Sequence, residues 1–479
     1  MSSVPLTSND TPASTGHRSS SDRAALGRPA HGRFTQDELR RLVASGRIDT
    51  VALALPDLQG RLKGKLYNAG HFIDRIAASD AEMCAYILAT DADMRPAGGF
   101  ALTSWEAGYG DLRARPDLST LRGLPWMPRT ALVVADAVGH DGRPLEIAPR
   151  QLLRRQLDQL ADRGLHTKTG LETEFVVFQG TEAEAAQAGF RGLRPVTWAN
   201  LDYALDHPPA VSKLLRSLQA GLAGAGMPVE AIKTESAHGQ VEVTFPYGDT
   251  LTAADNHLVF KHAVKVFASR AGMMPVFMAA PMSGVGSGCH LHISLWQDDQ
   301  PALGGPEGSL STLGRQVVAG LLHALPDLAP LYAPNVNSYK RYLPNSFAPI
   351  CFAWGRDNRT CAVRVVGHGP GLHLEVRLPG ADTNPYLALA AVLAAAEFGI
   401  DRELAPDAPC SGNAYQTASG AQVPTSLHQA LDAFERSDLA LQLLGREVVE
   451  HYAHATQLEL EAHQLEVTDV ELRRGLAGT

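Results

Sequence analysis

The chain has few cysteines, no surplus of basic charge, no long apolar run and none of the compact signatures that mark many enzymes. Its five cysteines (Cys84, Cys289, Cys351, Cys361 and Cys410) are odd in number and form no CxxC pair. They argue against a disulfide framework or a thiolate zinc site, and for a reducing, cytoplasmic setting. A net charge of −9 leaves no basic excess with which to track a nucleic acid. The N-terminus lacks the apolar stretch of a secretory signal. The richest alanine and leucine run, Tyr386 to Ala396, stops at Glu397, too short for a bilayer, and is expected as a buried core helix. Gly60-Arg-Leu-Lys-Gly-Lys-Leu is one residue short of a phosphate-binding loop and lacks its hydroxyl. Gly284-Val-Gly-Ser-Gly and Gly367-His-Gly-Pro-Gly lack the dinucleotide fingerprint, and neither HExxH nor GxSxG occurs.

What is present is a globular composition, 45% hydrophobic over 479 residues, enough for a sizeable core. Residues 1–33, rich in Ser, Thr, Pro and Gly, read as a disordered tail. Thr35 and Glu38 stand at capping-box spacing and predict a helix to about Ser45. A strand follows from Asp49, then a Gly-containing turn and a Pro- and Gly-marked stretch to about residue 128. A second pattern opens at Ala131, with an amphipathic helix from Pro149 to Arg163. Asn384-Pro385 places an N-cap residue before a proline at the first helical position, heading a helix to about Phe398. Residues 426–464 predict two or more helices, and Thr468 with Glu471 a final short one. The economical division is an N-terminal domain over residues 34–128 and a larger catalytic domain over residues 129–479.

The informative signal is four strands that each turn a functional face one way. Strand periodicity puts Glu172 and Glu174 opposite Leu171, Thr173 and Phe175; Gln240, Glu242 and Thr244 opposite Val241 and Val243; His290, His292 and Ser294 opposite Leu291 and Ile293; and His373, Glu375 and Arg377 opposite aliphatic residues. Any one such strand is ordinarily a half-solvated antiparallel strand. Together they are carboxylates, histidines and an arginine, where an ordinary outer face mixes Thr, Ser, Lys and Gln. Like charges two residues apart repel, so a shared cation explains Glu172 and Glu174 better. Carboxylates with a minority of imidazole and no thiolate suit Mg²⁺ or Mn²⁺, two or three per site. Arg341, Arg359, Arg364 and Arg377 supply the planar forks that phosphate and carboxylate recognition needs, and metals with such clamps point to phosphoryl transfer.

These residues resemble the glutamine synthetase superfamily over nearly all of residues 35–479. The stretches that carry the resemblance run in order: Asp57-Leu-Gln-Gly, Gly170-Leu-Glu-Thr-Glu-Phe, Glu235-Ser-Ala-His-Gly-Gln-Val-Glu, Gly286-Ser-Gly-Cys-His-Leu-His, Asn337-Ser-Tyr-Lys-Arg, Asn358-Arg-Thr, and Glu375-Val-Arg with Asn384-Pro-Tyr. The resemblance implies an α+β fold, with a small β-grasp-like N-terminal domain and a catalytic domain whose antiparallel sheet forms an active-site funnel surrounded by helices. It implies a first metal on Glu174, Glu235 and Glu242 and a second on Glu172, His290 and Glu375. It implies ATP contacts from Glu230, His292, Ser294, Arg359 and Arg364, glutamate contacts from Gly286, Arg341 and Arg377, and Arg359 over the transferring phosphoryl group. It further implies a homo-oligomer of two stacked hexameric rings, a dodecamer, in which Asp57 reaches the neighbouring subunit's site as anion and base.

The departures concern the acceptor. Where glutamine synthetases carry a glutamate that closes the ammonium pocket, the segment here is Pro344-Asn-Ser-Phe-Ala-Pro349, placing Phe347 at that position. Val285 replaces an asparagine and Lys233 a histidine, and no tyrosine segment for adenylylation is evident. Loss of a carboxylate weakens the hold on ammonium, whereas an alkylammonium gains about 0.8 kcal/mol per buried methylene. The sequence is therefore similar to the γ-glutamyl-amine ligases. These use ATP to join the γ-carboxyl of L-glutamate to a small primary amine, an ethanolamine-like monoamine or a polyamine. Glutamine synthesis from ammonia is the alternative. A catalytically silent regulatory ring is the remote one, since all six metal ligands and four arginines stand. Neither nucleic acid nor membrane is expected as a partner.

Overall fold

The computed structural model describes residues 32–417 and 420–478. Most of the expected tail, residues 1–31, lies outside the described residues. Its last two residues are already engaged: the Gly32 N–H donates to the Gly224 carbonyl (2.6 Å) and Arg33 bridges to Arg122. Helix α1 (Gln36–Ala44) begins at the predicted capping box, with the Thr35 N–H donating to the Glu38 carboxylate at 2.7 Å.

A five-stranded sheet follows, built from β1 (Thr50–Pro56), β2 (Leu62–Asn68), β3 (Ala81–Cys84), β4 (Asp111–Gly123) and β5 (Thr130–Val138) in the order β2-β1-β5-β4-β3. β1 runs parallel to β5 and antiparallel to β2. The expected domain boundary at 128/129 needs correction, because it falls between β4 and β5, two hydrogen-bonded neighbours of this sheet. β2, β3 and β4 were hidden in the stretch read as irregular. β2 carries no apolar alternation, and β4 contains Pro116 and a register shift between Asp117 and Arg122.

Helix α2 (Pro149–Ala161) leads into the second sheet. Its strands are β6 (His166–Gln179), β7 (Ala231–Thr234), β8 (Gln240–Thr244), β9 (Gly248–Asp249), β10 (Met273–Val276), β11 (Cys289–Gln297), β12 (Gln300–Pro301), β13 (Trp354–Arg356), β14 (Val363–Val366) and β15 (His373–Val376). The central order is β13-β14-β15-β11-β6-β8-β7. Its pairs are antiparallel except β13 with β14.

The apolar face of this sheet is covered by α3 (Pro209–Gly224) and α4 (Thr250–Arg270), where Phe175, Val241 and Val243 pack against Val259, Phe260 and Ala263. Beside them, in the core cluster that includes β11, β14 and β15, α5 (Thr312–Ala324) packs on α6 (Pro385–Asp401), which Asn384 caps as predicted and which is buried almost throughout. The two touch through glycines: a Cβ on Gly320 would lie 2.2 Å from the Ala395 carbonyl oxygen. Helices α7 (Leu427–Arg436), α8 (Asp438–Leu444), α9 (Arg446–Leu465) and α10 (Asp469–Gly478) complete the helical layer. No helix among the described residues is long and apolar enough to cross a membrane.

A buried arginine ties the small sheet to α4, the helix that covers the second sheet. Arg150 on α2 donates to Asp117 on β4, Asp136 on β5 and Asp255 on α4, the last through Nε (2.9 Å) and Nη2 (2.8 Å). The Tyr386 hydroxyl of α6 donates to the same Asp255 at 2.6 Å. Burial opposes the Arg150 charge, yet the aspartates raise its pKa well above the ordinary value.

Candidate active site

Register, not sequence proximity, assembles the site. His290 on β11 stands opposite Glu172 on β6, and Glu242 on β8 stands opposite Glu174. On the other flank Glu375 of β15 pairs with His292 of β11 and with Arg364 of β14. The four alternating faces thus become adjacent columns on one side of the sheet. Glu235 joins from the end of β7, where its N–H donates to the Gln240 carbonyl (3.1 Å).

Among the described residues two clusters could hold cations. Glu174, Glu235 and Glu242 bring ligand oxygens within 4.8 Å of one another, and Glu172, His292 and Glu375 do the same. The second set differs from the expected one in its histidine. His290 lies between the two carboxylates, with Nδ1 2.9 Å from Glu172 and 3.4 Å from Glu375, while His292 Nε2 is 3.6 Å from Glu172.

The charges are out of balance without a cation. Burial, with Glu235 adding to it against Arg341, pushes Glu174 up to about 7. Burial and then Glu172 push Glu242 well above the carboxylate range. Glu172 goes the other way, since the hydrogen bond from His290 and the nearby His292 ring outweigh its burial. Burial and then Arg377 lower His290 to about 4, leaving the neutral imidazole that metals bind. Like charges directly opposed on neighbouring strands are destabilising unless shared. Oxygen donors with one or two imidazoles fit a hard divalent cation.

An arginine rim borders the clusters. Arg377 donates to Glu375 and, through Nη2, to the Phe347 carbonyl (3.3 Å); its buried Nε meets no acceptor among the described residues. Arg364 bridges Glu375 (2.8 Å) and Asp357. Arg341 is buried, with Nη1 donating to the carbonyls of Arg377 (3.2 Å) and Leu378 (3.0 Å) and Nη2 3.4 Å from His290. Its approach explains two glycines: a Cβ on Gly286 would sit 3.0 Å from Arg341 Cγ, and one on Gly288 2.8 Å from Arg341 Nη2. Arg359 lies exposed on the turn between β13 and β14.

Beside the second cluster a cavity of about 350 Å³ is lined by Glu172, Glu230, Tyr247, His292 and Ser294, among others. Ser294 accepts from Trp296 Nε1 (2.9 Å), and the Lys168 ammonium lies 3.4 Å above the Trp296 ring.

Two expected positions are held in ways the sequence did not show. Asp57 is a brace within its own chain. It is 0% exposed, its Oδ1 accepts the N–H groups of Gln59 (3.1 Å) and Arg61 (2.8 Å), and its Oδ2 accepts Arg61 Nε (2.7 Å). It braces the β1–β2 turn, and the Asn384 amide donates to the Asp57 and Leu58 carbonyls (3.1 Å each). Phe347 reaches the arginine rim only through its carbonyl. Phe347 is 63% exposed and its φ of 60° is left-handed, so among the described residues of the single chain it lines no closed apolar pocket.

Gln240 is a residue whose role the sequence reading did not assign. Its amide donates to Glu174 (3.1 Å), the Gly286 carbonyl (2.8 Å) and Ser287 Oγ (3.1 Å), fixing the first cluster against the glycine loop. Its place on the same alternating face as Glu242 was the available signal. Asp357, the partner of Arg364, carried none.

Carboxylate clusters for cations, an arginine rim for anions and a neighbouring cavity define the site class of enzymes that handle divalent cations together with phosphorylated and carboxylate substrates. The profile of the glutamine synthetase catalytic domain matches residues 146–475. The chain belongs to the glutamine synthetase family. It is 48% identical over 438 residues to the γ-glutamylethanolamide synthetase GlnA4 of Streptomyces coelicolor, covering 91% of this chain and 95% of that one. It is 33% identical over 446 residues to a glutamate–isopropylamine ligase of a Pseudomonas species, covering 92% and 97%. Among solved structures, an ADP complex of GmaS aligns with a TM-score of 0.80 at 28% identity, covering 92% of this chain and 99% of that one.

Proposed function

We propose that the protein is an ATP-dependent ligase that joins the γ-carboxyl of L-glutamate to a small primary amine. One observation carries the reading. Both carboxylate clusters stand beside an arginine rim, while the segment against Arg377, Pro344 to Pro349, carries no carboxylate with which to hold ammonium and meets that arginine through the Phe347 carbonyl. The relatives named for ethanolamide and isopropylamine chemistry support it.

Glu174, Glu235 and Glu242 would hold one divalent cation, and Glu172, Glu375 and a histidine, His290 or His292, another; Mg²⁺ or Mn²⁺ suits both sets. When bound, these cations neutralise the charge of the phosphates and of the glutamate carboxylate. Glu230, His292 and Ser294 line the cavity we assign to the nucleotide. Arg364 and the exposed Arg359 face its phosphates, and Arg341 and Arg377 orient glutamate beside Gly286. The γ-carboxylate attacks the γ-phosphoryl of ATP to give γ-glutamyl phosphate and ADP. The amine, as its free base, then attacks the activated carbonyl, the C–O bond to phosphate breaks, and the proton on nitrogen passes to the departing phosphate or to water. Arg377 and Arg359 stabilise charge that develops in these steps.

We also propose assembly into two stacked hexameric rings in the cytoplasm. The exposed side chains of Leu465, Val467, Val470 and Leu476 are the kind of surface such an assembly buries. The test of function is phosphate release from ATP and glutamate with ammonium, ethanolamine, isopropylamine, putrescine or spermidine. Release with a primary amine is expected; release with ammonium alone would overturn the reading.

A further inference from the structure

Beside the first carboxylate cluster stands a cation cage that the protein fills with its own side chain. The Lys233 ammonium contacts the Glu235 carboxylate, lies 3.4 Å from Asp202 Oδ1 and sits 4.3 Å over the Tyr203 ring. Across the sheet Lys233 pairs with Glu242. The cage is built into the fold rather than formed by loose surface groups. The Tyr203 N–H donates to the Thr234 carbonyl (3.3 Å) and Thr234 Oγ1 to the Leu201 carbonyl (2.5 Å), fastening the 201–203 segment to β7. Asp202 and Tyr203 are also open to solvent, at 37% and 70% exposure, so the cage lies at the solvent edge of the first cluster.

An aromatic face with a carboxylate, here Tyr203 and Asp202, is the chemistry that would capture the distal ammonium of a diamine or polyamine. Here that place is taken by an ammonium tethered to β7, which a free diamine must displace against a high local concentration. A second positive charge entering beside it would meet like charge within a few ångströms. A neutral tail meets no such penalty and can lie along the lysine methylenes.

We propose that Lys233 is a specificity-determining residue: it occupies the cage of Tyr203 and Asp202, beside the first cluster, and so restricts acceptors to monoamines with uncharged tails. This rests on the ligase reading above and names its substrate class.

The test uses a matched pair, 4-amino-1-butanol and putrescine, which differ only in a terminal hydroxyl against an ammonium. With the full-length enzyme, saturating ATP, glutamate and Mg²⁺, kcat/KM should favour the amino alcohol. Lys233→Met should shift that ratio toward putrescine by about tenfold or more, through a lower KM for putrescine, and Lys233→Arg should keep the native preference. A lysine that merely braces the loop would lower both substrates in parallel and leave the ratio unmoved, which overturns the proposal. An independent arm needs no variant: putrescine should inhibit ligation of the amino alcohol only far above that substrate's KM, and a Ki near or below KM overturns it. Absence of turnover with every amine would instead sink the ligase reading itself.

Discussion

Glu174 and Glu242 face each other across one antiparallel pair of β6 and β8, both inside the sheet's polar face and both with raised pKa values. The pair makes the metal-free protein pH-sensitive in a definite sense. A carboxyl whose folded pKa lies above its unfolded value contributes stability at low pH and loses it as pH rises. For Glu174 that window runs from 4.5 to about 7. A cation removes the penalty by binding the ionised form, so the gain in melting temperature from Mg²⁺ or Mn²⁺ should grow from about pH 5.5 to pH 8. Scanning calorimetry with and without metal checks it; a gain that shrinks over that range contradicts it.

Replacement of one member should separate stability from binding. Glu242→Gln removes a like-charge opposition and is expected to raise metal-free stability by up to about 1 kcal/mol, while weakening Mn²⁺ binding at least tenfold. Thermal melts and Mn²⁺ titration followed by paramagnetic resonance report the two effects independently.

Arg377 links the second cluster to the acceptor segment by holding Glu375 and the Phe347 carbonyl at once. Arg377→Lys keeps the charge but not the fork. We expect kcat to fall roughly 100-fold or more, measured as phosphate release, with the melting temperature changing little.

Phe347 supplies two opposite expectations. Phe347→Gly should stabilise the fold by about 1 kcal/mol, because a left-handed φ costs phenylalanine and not glycine. Phe347→Glu should raise the rate with ammonium relative to ethanolamine. A ratio that stays put would show that this segment does not choose the acceptor.

Asp57→Asn distinguishes a brace from a base. Loss of the Arg61 ion pair should cost roughly 1–3 kcal/mol of stability. A turn-forming role leaves kcat within about tenfold of native, whereas a proton-accepting role would lower it by about 100-fold or more.

Much of this was legible in the chain. The Thr35–Glu38 box and Asn384-Pro385 mark helix starts through local hydrogen bonding, and both are realised. The alternating columns on β6, β8, β11 and β15 were readable because period two survives wherever one face must pack against helices. The small sheet was not readable in the same way, since β2 lacks that alternation and β4 is interrupted by Pro116. Motif resemblance aligned Asp57 but could not show that Arg61, four residues on, already holds it. The Lys233 cage was invisible for a simpler reason: its aromatic and one carboxylate arrive from residues 202 and 203, about thirty positions earlier.

Arg150 carries a consequence for how the molecule comes apart. Its fork spans β4, β5 and α4, and breaking a buried pair on one side leaves the other charges stranded at roughly 3–5 kcal/mol. Neither the small sheet nor α4 can come away without exposing that network, so heating should give one calorimetric transition and not two. Arg150→Met strands three aspartates around an apolar side chain and should uncouple the halves into two resolvable steps. The arginine is thus a clasp of cooperativity, making one folding unit of what the strand order draws as two.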